Sequence, residues 1–70
     1  MQKRIKLKQF RVGLDLNQAK MAEKCGISRD TYSLIESGKR AGTAEFWLRF
    51  KTVFKLSPSE VWAMQYEGKE

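Results

Sequence analysis

Between residues 17 and 38 the chain is punctuated as two very short helices must be. Asn17 is a good N-cap for Gln18-Ala19-Lys20-Met21-Ala22-Glu23-Lys24-Cys25, and Gly26 tolerates the positive φ at which such a helix ends. Ser28 is the next N-cap and opens a helix through Glu36, which Ser37-Gly38-Lys39 closes. Helices of about two turns are not stable alone, because a costly nucleus is spread over too few bonds. Two of them joined by so short a turn must be held by further helices. Leu7, Phe10 and Leu14 supply one apolar face, with Lys3, Lys6, Lys8 and Arg11 on its other sides. Phe46, Trp47, Phe50, Val53 and Phe54 fall in one arc of a helical wheel. Ser57-Pro58-Ser59-Glu60 reads as a capping box, starting a last helix through Val61, Trp62 and Met64. No strand-like alternation appears. The reading is all-α, with helices over about 3–13, 18–25, 29–36, 43–55 and 58–65 in one domain of residues 1–66, and a frayed tail at 67–70.

Several classes of function are excluded by what the chain lacks. A sequence of 70 residues buries roughly 60% of its unfolded surface, which leaves little room for an enzyme cleft. It has no histidine, the commonest general base and metal ligand, and no cluster of carboxylates on one face to hold Mg²⁺. Its one cysteine, Cys25, can form neither an internal disulfide nor a thiolate zinc cage. No enzyme activity, cofactor or metal is therefore expected. A domain without such staples belongs in a reducing cytoplasm. No apolar run reaches the roughly 18 residues of a membrane span, and the N-terminus is too charged for a signal-peptide core, so neither insertion nor secretion is expected.

Charge points towards a polyanion. The formal net charge is +6, and all of it lies in residues 1–40, where ten Lys/Arg face four acids; residues 41–70 carry four of each. A basic half joined to a neutral half suggests a nucleic-acid-facing side. The two short helices and the Gly26 turn form a helix-turn-helix, the unit that seats its second helix in a DNA major groove. Ala22 is small where the helices approach. Ile27, Tyr32 and Ile35 fall inward, whereas Arg29, Asp30, Ser33 and Leu34 point outward together as a reading head.

At these residues the sequence resembles the Cro/repressor helix-turn-helix family of temperate-phage and bacterial regulators, over Leu7 to Val61. Arg11 ends the first helix as the family prefers. Leu16-Asn17-Gln18 stands where the family shows Leu-Thr/Asn-Gln, Met21-Ala22 for its Leu-Ala pair, and Gly26-Ile27-Ser28 for its Gly-Val-Ser turn. Ile35-Glu36-Ser37-Gly38-Lys39-Arg40 matches the Ile-Glu-x-Gly-Lys-Arg ending, and Phe54-Lys55-Leu56-Ser57 sits where Leu-Gly-Val-Ser joins the last two helices. The resemblance implies a compact five-helix, phage-repressor-like domain acting on operator DNA, cytoplasmic in a bacterial host and nucleoid-associated when DNA-bound. It implies that Gln18 contacts a phosphate and braces the third helix. Arg29, Asp30 and Leu34 would occupy base-reading positions, with Ser28 at the edge of the contact. Lys39, Arg40 and Arg11 would grip the backbone. Glu36 would be structural, and Cys25, at a usually aliphatic position, a small buried hydrophobe.

Two base-reading positions depart from the family pattern, and Ala41-Gly42 stands where the family frequently has a proline before its fourth helix. Asp30 and Leu34 stand where amides, hydroxyls and cations are usual, so the head is half apolar and half zwitterionic, which also describes a protein-binding surface. Two readings therefore stay open. One is an operator-binding regulator, a homodimer on a two-fold site that works by occupancy because so short a chain has no effector domain. The other is an antirepressor that grips the cognate phage repressor and masks its DNA surface. Leu48, roughly opposite the aromatic face, and Trp62, beside an inward Val61, suggest a protein-partner surface. The aromatic group itself is core by its spacing. Lys3, Arg4, Lys6 and Lys8 form either a DNA-grasping arm or a solvated helix face.

Overall fold

The computed structural model describes residues 3–66, so the frayed end expected at 67–70 lies outside the described residues. Five helices follow in order: α1 (Ile5–Gly13), α2 (Gln18–Cys25), α3 (Arg29–Glu36), α4 (Ala44–Phe54) and α5 (Pro58–Gln65), with no strand among the described residues. Four of them start on side-chain caps. Asn17 Oδ1 accepts from the Lys20 N–H at 2.8 Å, Ser28 Oγ from Thr31 at 3.2 Å, and Thr43 Oγ1 from Phe46 at 3.0 Å. Ser57 and Glu60 close a reciprocal capping box, the Ser57 N–H donating to Glu60 Oε1 at 3.0 Å and the Glu60 N–H to Ser57 Oγ at 3.2 Å. Each cap satisfies an N–H that has no partner within its helix.

α1 has no side-chain cap. It starts at Ile5 rather than at residue 3, because the Arg4 N–H donates to Glu36 O at 2.9 Å, a bond across the fold. α4 is one residue shorter at each end than its spacing suggests: Thr43 is its N-cap and Lys55 turns left-handed at φ 53°, ψ 47°. Lys55 thus adopts, at the position matched to a family glycine, the backbone conformation glycine favours.

The elements pack α2 on α3 and α4, and α1 on α3 and α5. The core gathers Leu7, Met21, Ala22, Cys25, Tyr32, Ile35, Phe46, Trp47, Phe50, Val61 and Met64. Phe10, Phe50 and Phe54 meet edge-on, with ring centroids 5.2–5.6 Å apart. Burial raises the Cys25 thiol to about 11, which suits a packing residue. Two residues expected in the core are not there. Leu14 is the C-cap of α1 and 44% exposed, and Val53 is 41% exposed on the outer side of α4.

Gly42, at φ 83°, passes under Trp47, where an added Cβ would lie 2.9 Å from the indole Nε1 that donates to Ala41 O. Gly26, at φ 73°, ends α2 and places α3 at the angle the motif needs. A Cβ there would meet only the flexible end of Arg49, so the cost of Gly26→Ala is mainly backbone strain. That strain is worth about 1–2 kcal/mol, which lowers Tm by about 4–8 °C per kcal/mol in a domain of this size. A thermal melt followed by circular dichroism should show the fall; an unchanged or higher Tm would contradict the left-handed turn.

Candidate nucleic-acid interface

α3 turns one face to the core and the other to solvent. Tyr32, Ile35 and Glu36 are buried, Arg29 and Asp30 are exposed, and Ser33 and Leu34 are half-buried. Leu34 is thus less open than expected of a reading-head residue, and its carbonyl accepts from the Lys39 and Arg40 N–H groups at 3.0 and 3.1 Å. These bonds fold the chain back, so the exposed Lys39 and Arg40 begin beside the end of α3. Arg29 Nη2 donates to Asp30 Oδ1 at 3.2 Å, so the head carries a paired cation and anion. Ser28 is occupied as the N-cap, its hydroxyl also donating to Thr31 Oγ1 at 2.8 Å.

Under this face lies a buried polar network centred on Glu36. Arg11 Nε donates to Glu36 Oε2 at 2.9 Å and Arg11 Nη2 to Oε1 at 3.2 Å. Gln18 Nε2 donates to Oε1 at 3.1 Å, and the Tyr32 hydroxyl to Oε2 at 2.7 Å. Burial alone would raise the Glu36 carboxyl, but the hydrogen bonds from Arg11, Tyr32 and Gln18 outweigh it and hold the group below its ordinary value. The Tyr32 hydroxyl is pushed up, chiefly by burial and then by Glu36, so it stays a donor.

This network changes the part played by two residues. Arg11 was expected among the backbone grips, yet it is buried, committed to Glu36, and donates from Nη1 to Leu16 O at 2.7 Å. It is a brace. Arg4, grouped with the arm lysines by sequence, is buried too. Its guanidinium donates to the carbonyls of Ile35 (2.6 Å), Arg40 (2.9 Å), Gln65 (3.2 Å) and Ala41 (3.3 Å) and sits 5.6 Å from the centre of the Trp47 ring. The missed signal was spacing: Arg4, Leu7 and Arg11 recur at helical steps on one inward face.

Gln18 joins two clefts. One, of about 440 Å³, lies between it, Arg11, Asn17, Ala19 and Arg29; the other, of about 480 Å³, runs past Ser33 to the N-terminal turn of α1. Leu48 and Trp62 are exposed as expected, at 63% and 64%. Leu48 lies in a shallow depression with Glu45, Arg49, Thr52 and Val53, whose lining does not include Trp62. Trp62 instead pairs with Tyr66, ring centroids 5.1 Å apart, an exposed partner that sequence reasoning overlooked. Among the described residues no group of His, Cys, Asp and Glu is placed to hold a metal, and no helix is long and apolar enough to cross a membrane.

A helix-turn-helix family model matches residues 7–61, from Leu7 in α1 to Val61 in α5. The chain belongs to the helix-turn-helix family. It is a DNA-binding transcriptional regulator, with double-stranded DNA as its partner. Neither the comparison with curated proteins nor that with solved structures found a match. In this helix-turn-helix domain α2 and α3 are the motif, and the Glu36 network fixes the one against the other.

A carboxyl held below its unfolded value contributes stability that is fully present above that value and is lost as pH falls through the folded one. Glu36 therefore stabilises the fold above about pH 4.5 and ceases to do so on acidification below it. Glu36→Gln leaves Arg11 buried without its counter-ion, at a cost of about 3 kcal/mol at pH 7. Denaturant unfolding across pH 3–7 should show a smaller loss of stability on acidification in the variant than in the wild type. Parallel curves would remove Glu36 from the account.

Proposed function

We propose that this regulator is of the phage genetic-switch type: it binds a two-fold operator as a homodimer, lays α3 in the major groove of each half-site, and acts by occupancy. The observation that carries the reading is the outward face of α3. Arg29, Asp30, Ser33 and Leu34 share it, Lys39 and Arg40 begin at its end, and Gln18 flanks it from the start of α2. Arg29 suits guanine O6 and N7 and Leu34 a thymine methyl, whereas repulsion from phosphate outweighs the match of the Asp30 carboxylate to a cytosine amine. Ser28 lies at the edge of the contact. Gln18, Lys39 and Arg40 set the register on phosphate. In a dimer the two α3 helices would lie about 34 Å apart, one turn of B-DNA. The exposed Trp62–Tyr66 pair and Leu48 are the apolar surfaces available for a partner copy.

The exposed carboxylate of Asp30 supports a second reading, in which the same face grips the basic recognition helix of a cognate repressor and masks it. Its pairing with Arg29 removes much of the bare negative charge that such mimicry needs, and favours DNA.

The first test is salt. If five to seven phosphates are neutralised, log Kobs should fall against log salt with a slope of about −4 to −6. The probe is a duplex recovered by selection from a randomised library, followed by fluorescence anisotropy. Binding indifferent to salt would sink the phosphate grip. The second test separates the readings on α3 by titration calorimetry against that duplex and against a purified phage repressor. On DNA, Leu34→Ala should cost about 1 kcal/mol or less, and Asp30→Asn should strengthen binding. On a repressor, Leu34→Ala should cost about 2 kcal/mol or more, and Asp30→Asn should weaken binding.

A further inference from the structure

The fold separates four cations that are neighbours in sequence. Arg4 points inward, while Lys3, Lys6 and Lys8 stay exposed. Lys3 and Lys8, but not Lys6, line the cleft of about 480 Å³ between the N-terminal turn of α1 and the C-terminal half of α3. Across from them stand Gln18, Ser33 and Ser37. Gln18 and Ser33 belong to the DNA-facing surface proposed above, so the cleft is a direct extension of it. These three share the lining with two lysines, Ser37 Oγ donating to Leu34 O at 3.0 Å and Gln18 Nε2 to Glu36 Oε1 at 3.1 Å, and neither lysine forms an ion pair among the described residues. The first turn of α1 carries no acid, although a helix N-terminus favours one. Glu36 also reaches the lining, but its carboxylate is saturated by Arg11, Tyr32 and Gln18 and offers little repulsion to an incoming anion.

We propose that this cleft is a second phosphate site, in which Lys3 and Lys8 hold the DNA backbone as it leaves the groove past the C-terminal half of α3. The inference rests on the DNA-binding reading. It extends the footprint beyond the helix-turn-helix to the start of α1, on the far side of Gln18 from Arg29. Because the two lysines lie on phosphate rather than on base edges, they add affinity without sequence preference.

The test compares Lys3→Gln/Lys8→Gln with the charge-matched Lys6→Gln/Lys24→Gln, whose residues lie outside the cleft. A further pair, Lys39→Gln/Arg40→Gln, reports on the main interface. Each is titrated by anisotropy with the selected duplex and with a random-sequence duplex over a range of salt. The cleft variant should lose about ten-fold in affinity for both duplexes near physiological salt, its log–log slope should shrink by about 1–2, and its ranking of base variants should not change. The charge-matched control should lose much less. Equal losses from the two lysine pairs would reduce the effect to diffuse charge and overturn the proposal. A loss confined to Lys39→Gln/Arg40→Gln would overturn it while leaving the DNA reading intact. Failure of the wild type to bind either duplex would overturn both. A third arm titrates inorganic phosphate and follows backbone amides by NMR. Saturable shifts at Ser33 and Ser37, with duplex affinity unchanged in the cleft variant, would assign the cleft to a small anion instead.

Discussion

The carboxylate of Glu36 is the point on which three helices converge. Arg11 reaches it from α1, Gln18 from α2 and Tyr32 from within α3. A buried ion pair of this kind is weak evidence for net stability, because desolvation offsets most of the attraction. Its geometry matters more. Glu36 accepts four bonds from fixed directions, and only one placement of α3 against α2 and α1 satisfies them together. A purely apolar contact at this point would hold α3 to the core but tolerate small rotations about its axis. Rotation of α3 would move every side chain on its outer face, so under the proposed DNA reading a polar lock is well placed here.

Arg4 performs the matching task at the other end of α1. It collects carbonyls from Ile35, Arg40, Ala41 and Gln65, tying the end of α3, the following loop and α5 to the first turn of the domain. With Leu7 between them, Arg4 and Arg11 make the inner face of α1 a clamp rather than a plain apolar stripe. The arrangement also revises the meaning of the charge. Of the ten cations in residues 1–40, Arg4 and Arg11 are buried, and of the four acids Glu36 is buried. The exposed set is then eight cations against three acids, so the bias survives almost intact while its location sharpens to Lys3, Lys8, Lys39, Arg40 and the outer sides of α1 and α2.

Legibility followed the range of the forces involved. α2, α3 and α5 could be bounded from sequence because Asn17, Gly26, Ser28, Ser57 and Pro58 act on the backbone within a few residues of themselves. The start of α1 could not, because its N-cap residue Arg4 donates its N–H to Glu36 O, more than thirty positions away. The left-handed Lys55 was hidden for another reason: its side chain does not favour the conformation that the surrounding packing imposes. Leu14 and Val53 show the limit of periodicity. Leu14 continues an apolar pattern past the end of α1, whereas Val53 lies at the outer edge of the arc of α4, beside a Phe54 that still packs on the core. In the candidate site, Gln18, Arg29, Asp30, Lys39 and Arg40 could be placed by pattern. The inward roles of Arg4 and Arg11 could not, because a long basic side chain on a helix reads as solvated until the carbonyls or carboxylate that capture it are known.

The brevity of α3 joins stability to recognition. A helix of eight residues does not persist on its own propensity, so its shape is borrowed from Tyr32, Ile35 and Glu36 on its inner side. The residues proposed to meet DNA alternate with these anchors: Arg29 and Asp30 precede Tyr32, and Ser33 and Leu34 lie between Tyr32 and Ile35. Any change that loosens the inner face therefore blurs the outer one. Leu34 sits at that boundary, half-buried and with its carbonyl holding Lys39 and Arg40 in place. Such a residue suits apolar shape recognition better than a hydrogen-bonding reader would, because a polar head there would need partners on both sides of the boundary. The mixed character of the outer face of α3, which the proposed function sets against DNA, thus follows from how little helix there is to divide between folding and contact.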